Sequence, residues 1–312
     1  MYVPYLRGKQ NELIALRNLC ALPLDNQYIS VLIEPVRKLD ATIKKTISAL
    51  NLCQIPVNLV VNPKVGNLVS SALQIHTFIN DQINSGINNI IPTFIFESQR
   101  DLLIAQTAFN NHTYISQTGF SLIINKRIPD TSAVQSFLAN SNPNSCFIKS
   151  DISASYRQLF PAISLIHLSD PFVAQSKNSG YLQSPTEIFT DVHQYYISDG
   201  YKGFSDYLTI GEEYNDSGFA PYAVAIHLTY EETDGTIWVA HFVSDSNADN
   251  KNIPGKFGEA LNKLIPFINA RGLNTMACAE FRKLHAAGNY CGLGELKKLS
   301  VMHHIQLVQE IL

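Results

Sequence analysis

Short hydrophobic runs alternate with amphipathic segments through the first third of the chain. Four short runs of mainly apolar residues predict strands, at 3–6, 29–33, 57–61 and 91–96. A segment with apolar residues at helical spacing follows each run, at 11–19, 40–52, 71–83 and 101–109. Strands that are apolar on both faces are typical of a parallel sheet covered by helices. Right-handed crossovers then leave an open doubly wound sheet or a closed barrel as candidates.

The second half of the chain repeats this pattern less regularly. Residues 113–115 and 121–124 are alternatives for a fifth strand, and 146–149, 163–167 and 206–210 predict the sixth, seventh and eighth. Residues 132–138 and 185–196 predict helices between them. Eight strands favour the barrel, and the glycine motif of a dinucleotide-binding sheet is absent after the first strand.

A different pattern begins after the eighth strand. Residues 222–229 and 236–244 alternate apolar and polar positions and are joined by a segment containing Asp234-Gly235, which predicts a β-hairpin. Helical spacing returns at 256–270, 280–284 and 293–311. We therefore predict one α/β domain over residues 1–312, a (β/α)8 TIM-barrel-like fold. A Tyr-rich loop and hairpin insertion occupies 199–250, and helices end the chain.

Composition narrows the class of protein. Of 312 residues only 16% are charged, and the net charge of −3 excludes a uniformly basic nucleic-acid coat. A secretion signal and an apolar run long enough to span a membrane are both absent, so we expect a cytoplasmic protein that contacts no membrane. The five cysteines are scattered, with no CxxC pair, and are expected to be free thiols.

The first two βα units contain a basic turn, a Glu-x-x-Ala-Leu helix and a strand that ends in Ile-Glu-Pro, formed by Arg7, Lys9, Glu12, Ala15, Leu16, Ile33, Glu34 and Pro35. In these residues the chain resembles the beta protein family of phage and bacterial mobile elements. The tract GFSDYLTIGEEY, residues 203–214, is similar to a smaller relative. The resemblance implies a barrel-like α/β fold and a bacterial or prophage origin, and it supplies no activity, cofactor or catalytic set.

Charged residues follow the predicted strands, where a parallel barrel carries its function. We single out Glu34 and Glu97 as candidate catalytic carboxylates. The candidate ligand-binding residues are Arg7, Lys9, Asn62, Lys64 and Asp170. Arg7-Gly8-Lys9 could bring two cations and a close backbone to a phosphate. The alternative is that these charges cap helices and pair across loops. If Glu34 is a rim carboxylate, Glu34→Gln should impair function while changing stability by no more than about 1 kcal/mol.

Two hypotheses of function follow. In the first, the barrel mouth binds or hydrolyses a phosphate-containing ligand, a nucleotide or a nucleic acid, in phage defence. In the second, the protein is a non-catalytic component that binds a protein partner encoded nearby, through the Tyr-rich loop and the hairpin. His227 and His241 lie on the two hairpin arms and would form half of a zinc site, but a cross-strand pair on a solvated face is the favoured explanation, so we predict no metal site. No motif identifies a cofactor.

Overall fold

The computed structural model describes residues 1–22, 27–160, 164–216 and 220–312. The chain divides into two compact units. The first unit contains Met1–Ser169 and Val192–Asp206, and the second contains Asp170–Asp191 and Tyr207–Leu312. That the whole chain folds as one domain stays a prediction.

The first unit is an eight-stranded parallel sheet curled into a nearly closed barrel, which confirms the predicted TIM-barrel-like fold. In order across the sheet its strands are β1 (Tyr5–Leu6), β2 (Val31–Ile33), β3 (Val57–Val60), β4 (Ile90–Phe96), β5 (Ser121–Ile124), β6 (Ser145–Lys149), β7 (Leu165–Ser169) and β9 (Gly203–Asp206). The helices are α1 (Gln10–Leu19), α2 (Ala41–Leu52), α3 (Ala72–Asn84), α4 (Gln99–Asn111), α5 (Tyr114–Thr118), α6 (Thr131–Ala139), α7 (Ala154–Arg157) and α8 (Val192–Tyr195).

The barrel closes where the last strand meets the start of the chain. The Val3 N–H donates to the Phe204 carbonyl at 2.9 Å, and the Phe204 N–H donates to the Met1 carbonyl at 3.0 Å. Gly203 allows this approach, because a Cβ at that position would lie 2.5 Å from the Met1 carbonyl oxygen. The eighth barrel strand therefore depends on a glycine.

Gly203→Ala is expected to lower the free energy of unfolding by about 1–3 kcal/mol, since the added methyl group forces the closing strands apart. Differential scanning calorimetry measures the effect. Gly258→Ala is the control, because outside its own helix no described atom lies within 4 Å of a Cβ at that position. This second change should be neutral or stabilise by up to about 1 kcal/mol. Equal melting temperatures for the two variants would contradict the closing role of Gly203.

The second unit combines a three-stranded antiparallel sheet with the C-terminal helices. The sheet has the order β10-β11-β8, with β8 at Thr186–Thr190, β10 at Ala225–Glu231 and β11 at Ile237–Val243. The helices are α9 (Ile253–Ala270), α10 (Met276–Ala287) and α11 (Leu293–Ile311). The predicted hairpin is confirmed as β10 and β11, and its turn has Gly235 at φ +81°. Phe267 of α9 covers one face through ring contacts with Tyr230 and Phe242 at 5.1 and 5.2 Å.

Two predicted elements differ in the structure, and one open alternative is decided. Residues 185–196 are not one helix, because β8 pairs with β11 and only Val192–Tyr195 is helical. The eighth barrel strand is Gly203–Asp206 rather than 206–210, since Leu208 has φ +53° and begins a 3-10 turn. Of the two alternatives for the fifth strand, Ser121–Ile124 is correct.

The seventh barrel strand, the cysteines and the helices can also be compared with the predictions. The predicted strand at 163–167 is observed at Leu165–Ser169, and Ile163 lies outside the described residues, as do 217–219 of the predicted insertion. All five cysteines are free, as predicted. Within the described ranges, no helix combines the length and the apolar character that a membrane crossing requires.

Candidate functional site

The barrel interior can be identified from one strand. Phe94 and Phe96 of β4 contact Phe109 and Phe137 of the outer helices, with ring centroids 6.4 and 6.0 Å apart. Side chains alternate between faces along a strand, so Thr93, Ile95 and Glu97 face the interior. Glu97 directly follows β4 and therefore lies at the carboxyl end of the barrel.

The strand register places two more polar side chains beside Glu97. Phe96 pairs with Ile124, and Ile124 pairs with Ile148. The next residues in register are Glu97, Asn125 and Lys149, which we call the mouth row. The Asn125 amide donates to Glu97 Oε1 at 3.1 Å. The other amide atom, Asn125 Oδ1, is buried and takes no hydrogen bond from the described residues.

A second group, the mouth network, is built around Glu34. This carboxylate is fully buried, with 0% exposure. It forms an ion pair with Arg7 and accepts hydrogen bonds from the Tyr5 hydroxyl at 2.8 Å and the Lys64 backbone N–H at 2.7 Å. The three donors tie together the loops that follow β1, β2 and β3.

Asp101, at the start of α4, extends the mouth network. It pairs with the Lys64 ammonium and accepts hydrogen bonds from the Glu97 backbone N–H at 3.0 Å and the Ser98 hydroxyl at 2.9 Å. Burial alone would raise the pKa of Asp101, but the hydrogen bonds from Lys64, Glu97 and Ser98 hold this pKa below its usual value. The carboxylate therefore stays ionised and anchors Lys64.

Asn62 has a structural role in the same region. Its amide donates to the Ile95 carbonyl at 2.8 Å and accepts from the Ile95 N–H at 2.8 Å. The side chain thus continues the β3–β4 ladder by one step. It also approaches Asp101 Oδ1, at 3.4 Å.

The seven candidate residues from the sequence divide into two sets. Contacts through Asp101 and Lys64 bring together Arg7, Glu34, Asn62, Lys64 and Glu97. Lys9 precedes α1, and its backbone N–H donates to Glu12 Oε2 at 3.2 Å. Asp170 belongs to the second unit, where it accepts a hydrogen bond from the Glu212 N–H at 2.8 Å.

The burial of Glu34 changes its interpretation. A rim base must reach a ligand, whereas the Glu34 carboxylate is enclosed by three donors from the protein. We interpret Glu34 as a positioning residue that holds Arg7 and the Lys64 loop. The effect that we expect from Glu34→Gln is therefore a large loss of stability rather than a small one.

Sequence reasoning missed two groups of polar residues. Asp101 seemed to be only the start of a helix, although it follows Glu97 by four residues. At the opposite end of the barrel, Asn58 donates to the Ser30 hydroxyl at 3.0 Å and accepts from the Ser121 hydroxyl at 2.8 Å. Three polar residues within apolar runs were the available signal for this buried layer.

In the first six βα units, charge in the described loops is concentrated at one end of the barrel, whereas the loop from α8 into β9 at the other end carries Asp199 and Lys202. The loops after β1–β6, up to the next helix, contain seven Lys or Arg residues and five Asp or Glu residues. The described parts of the loops that lead from α1–α6 into the following strands contain no Lys, Arg, Asp or Glu. Asp40 and Asp130 cap α2 and α6 by accepting hydrogen bonds from Thr42 and Ala133 backbone N–H groups. The remaining charges at the mouth are mostly cations.

The described residues contain no group of three or more His, Cys, Asp or Glu side chains that could hold a metal ion.

Comparison with known proteins adds no family. No protein-family model matches the chain, and no curated protein matches it at a significant level. The chain's resemblance to the beta protein family stays a prediction.

Proposed function

We propose that the first unit binds a phosphate-containing ligand at the carboxyl ends of its barrel strands, with Glu97 as general base. The observation that carries this proposal is the concentration of loop charge at that end in the first six βα units, with seven Lys or Arg residues against five Asp or Glu residues. The chain as a whole has a net charge of −3, so a local excess of cations is not a consequence of composition. A cationic mouth favours an anionic ligand.

The mouth row contains a carboxylate that can act as a general base, whereas Glu34 is enclosed by its hydrogen-bond donors. Glu97 is half-buried and stands beside Asn125 and Lys149 in register. Arg7 and Lys64 already neutralise buried carboxylates, so their charges mainly hold the loops in place. The other cations at this end are Lys149, in register with Glu97, and the exposed Lys126 and Arg127, and in this proposal they contact the ligand. A carboxylate beside these cations can accept a proton from a water or hydroxyl that attacks phosphorus.

Binding of inorganic phosphate and of a nucleoside triphosphate tests this proposal by isothermal titration calorimetry. We expect Lys149→Met to weaken binding by about tenfold or more, because a charge-assisted hydrogen bond is lost. Lys283→Met is the matched control, since that ammonium is exposed on α10 and pairs only with Glu280 among the described residues. Glu97→Gln should keep binding and lose phosphate release. Equal affinities for wild type, Lys149→Met and Lys283→Met would contradict the site.

A setting in phage defence belongs to the same proposal and is supported by the resemblance of residues 7–35 to a family of mobile elements. The cytoplasm, where thiols stay reduced, is the compartment that the five free cysteines favour.

The second candidate function is binding of a protein partner through residues 199–245. The exposure of Tyr222, 61%, and of the hairpin turn at Thr233 and Asp234 favours it. Large exposed aromatic side chains are common at protein interfaces.

A further inference from the structure

A second cluster of titratable side chains lies on the sheet of the second unit. His227 on β10 and His241 on β11 are direct partners across the ladder, and Glu187 on β8 pairs with Val239 on the same face. The two Nδ1 atoms of the histidines are 2.7 Å apart. His241 Nε2 lies 3.2 Å from Glu187 Oε1. The three side chains therefore form a continuous hydrogen-bonded chain.

Hydrogen-bond directions determine where the protons lie in this chain. An ionised carboxylate only accepts, so His241 Nε2 carries a proton and donates it to Glu187. A neutral His241 then has a lone pair on Nδ1, which accepts from the Nδ1–H of His227. This leaves a lone pair on His227 Nε2, to which the described residues donate no hydrogen bond.

The surroundings keep His227 neutral and partly accessible. Burial lowers the pKa of His227 to about 3, and the neighbouring His241 and Lys297 contribute to this lowering. The Tyr181 and Phe172 rings stand 4.6 and 5.1 Å from the His227 ring. The residue as a whole is half-buried, so an aromatic wall lies beside a reachable imidazole.

We propose that His227 Nε2 is a nucleophile that accepts an acyl group from an aryl ester, with His241 and Glu187 as positioning residues. The lone pair attacks the carbonyl carbon, an N–C bond forms, and the C–O bond to the aryl oxide breaks. The acylated ring loses its Nδ1 proton to His241 Nδ1, and the Glu187 carboxylate stabilises the imidazolium that forms on His241. Water then adds to the acyl carbon and the N–C bond breaks. The carboxylic acid leaves, one proton passes to solvent, and the Nδ1–H of His227 and the Nε2–H of His241 are restored.

Two features select this class of substrate. Acylation of a neutral imidazole creates a positive charge that is discharged only when the other nitrogen loses its proton, and the relay accepts that proton. Phe172 and Tyr181 offer aromatic surfaces to an aryl leaving group. Histidine is an established covalent nucleophile in enzymes generally.

Release of p-nitrophenolate from p-nitrophenyl acetate by the full chain tests the proposal. We expect His227→Gln to lower the rate by about tenfold or more. Glu187→Gln should lower kcat and leave KM nearly unchanged, because it acts through His241. His285→Gln is the control, since His285 is exposed on α10. A wild-type rate in His227→Gln would overturn the proposal.

A measurement on the unaltered chain covers the case in which a variant fails to fold. Diethyl pyrocarbonate labels nucleophilic imidazoles, and peptide mass spectrometry locates the label. Faster labelling of His227 than of the exposed His285 would support the proposal. Labelling of His285 with none on His227 would overturn it. Fluorescence of Trp238, which lies on β11 and is the single tryptophan, reports whether each variant folds in this unit.

Discussion

Glu34→Gln is expected to lower the free energy of unfolding of the first unit by about 3–5 kcal/mol, because it removes the carboxylate from a buried ion pair with Arg7. Glu34 has 0% exposure and Arg7 has 9%. Removing one member of such a pair costs more than the pair contributes, since the remaining charge keeps its desolvation penalty. For a unit of this size the melting temperature should fall by roughly 10 °C in calorimetry.

A second variant separates the buried charge from other effects of the substitution. Arg7→Met combined with Glu34→Gln removes both charges, and the amide oxygen that replaces the carboxylate can still accept a hydrogen bond from the Tyr5 hydroxyl or the Lys64 N–H. The double variant should therefore be more stable than Glu34→Gln alone. Glu280→Gln is the matched control, because its ion pair with Lys283 is exposed and should contribute about 0.5 kcal/mol or less. A Glu34→Gln protein as stable as Glu280→Gln would show that Glu34 is dispensable for folding.

Acidification from pH 7 to pH 4 is expected to destabilise the second unit, and His303 should account for about 3 kcal/mol of the loss. His303 has 0% exposure. Its Nε2–H donates to the Thr229 carbonyl at 2.6 Å, and its Nδ1 accepts from the Thr275 hydroxyl at 2.8 Å. The Thr275 hydroxyl oxygen also accepts from the Cys278 backbone N–H at 3.3 Å. Both imidazole nitrogens are thus satisfied in the neutral form, which has no charge to desolvate.

The sign of the effect follows from the two pKa values. Burial lowers the pKa of His303 from 6.5 to about 4, although its hydrogen bond to Thr229 opposes this shift. In the unfolded chain His303 binds a proton below about pH 6.5, whereas in the folded chain it binds one only below about pH 4. Stability is therefore full above pH 7, is lost as the pH falls between these values, and changes little further from this group below pH 4.

Urea unfolding followed by Trp238 fluorescence measures this loss. The decrease in unfolding free energy between pH 7 and pH 4 should be about 3 kcal/mol smaller in His303→Gln than in wild type. His285→Gln, which removes an exposed imidazole, should keep the wild-type decrease. The same decrease in all three proteins would contradict the role of His303.

Part of the candidate site could be predicted before the structure. Glu34 and Glu97 were expected at the carboxyl end of a barrel because each follows an apolar run. The burial of Glu34 could not be predicted, since it depends on Arg7, Tyr5 and the Lys64 backbone, which reach this carboxylate from distant parts of the chain. The same is true of Glu187, which was assigned to a helix and instead lies on a strand beside His241.

The sequence by itself determined the barrel. The spacing of apolar positions is a local property of the chain, so residues 91–96 already predict a strand and residues 40–52 a helix. The Asp234-Gly235 turn is local too, and it predicted the hairpin correctly. Only the tertiary structure decided which segments pair with each other. Thr186–Thr190 forms a strand because its backbone pairs with β11. The final barrel strand begins at Gly203 because the absence of a side chain there lets the backbone approach Met1. The burial of Glu34 and the burial and protonation of His227 and His303 depend on residues distant in the chain, and for that physical reason no local pattern contains them.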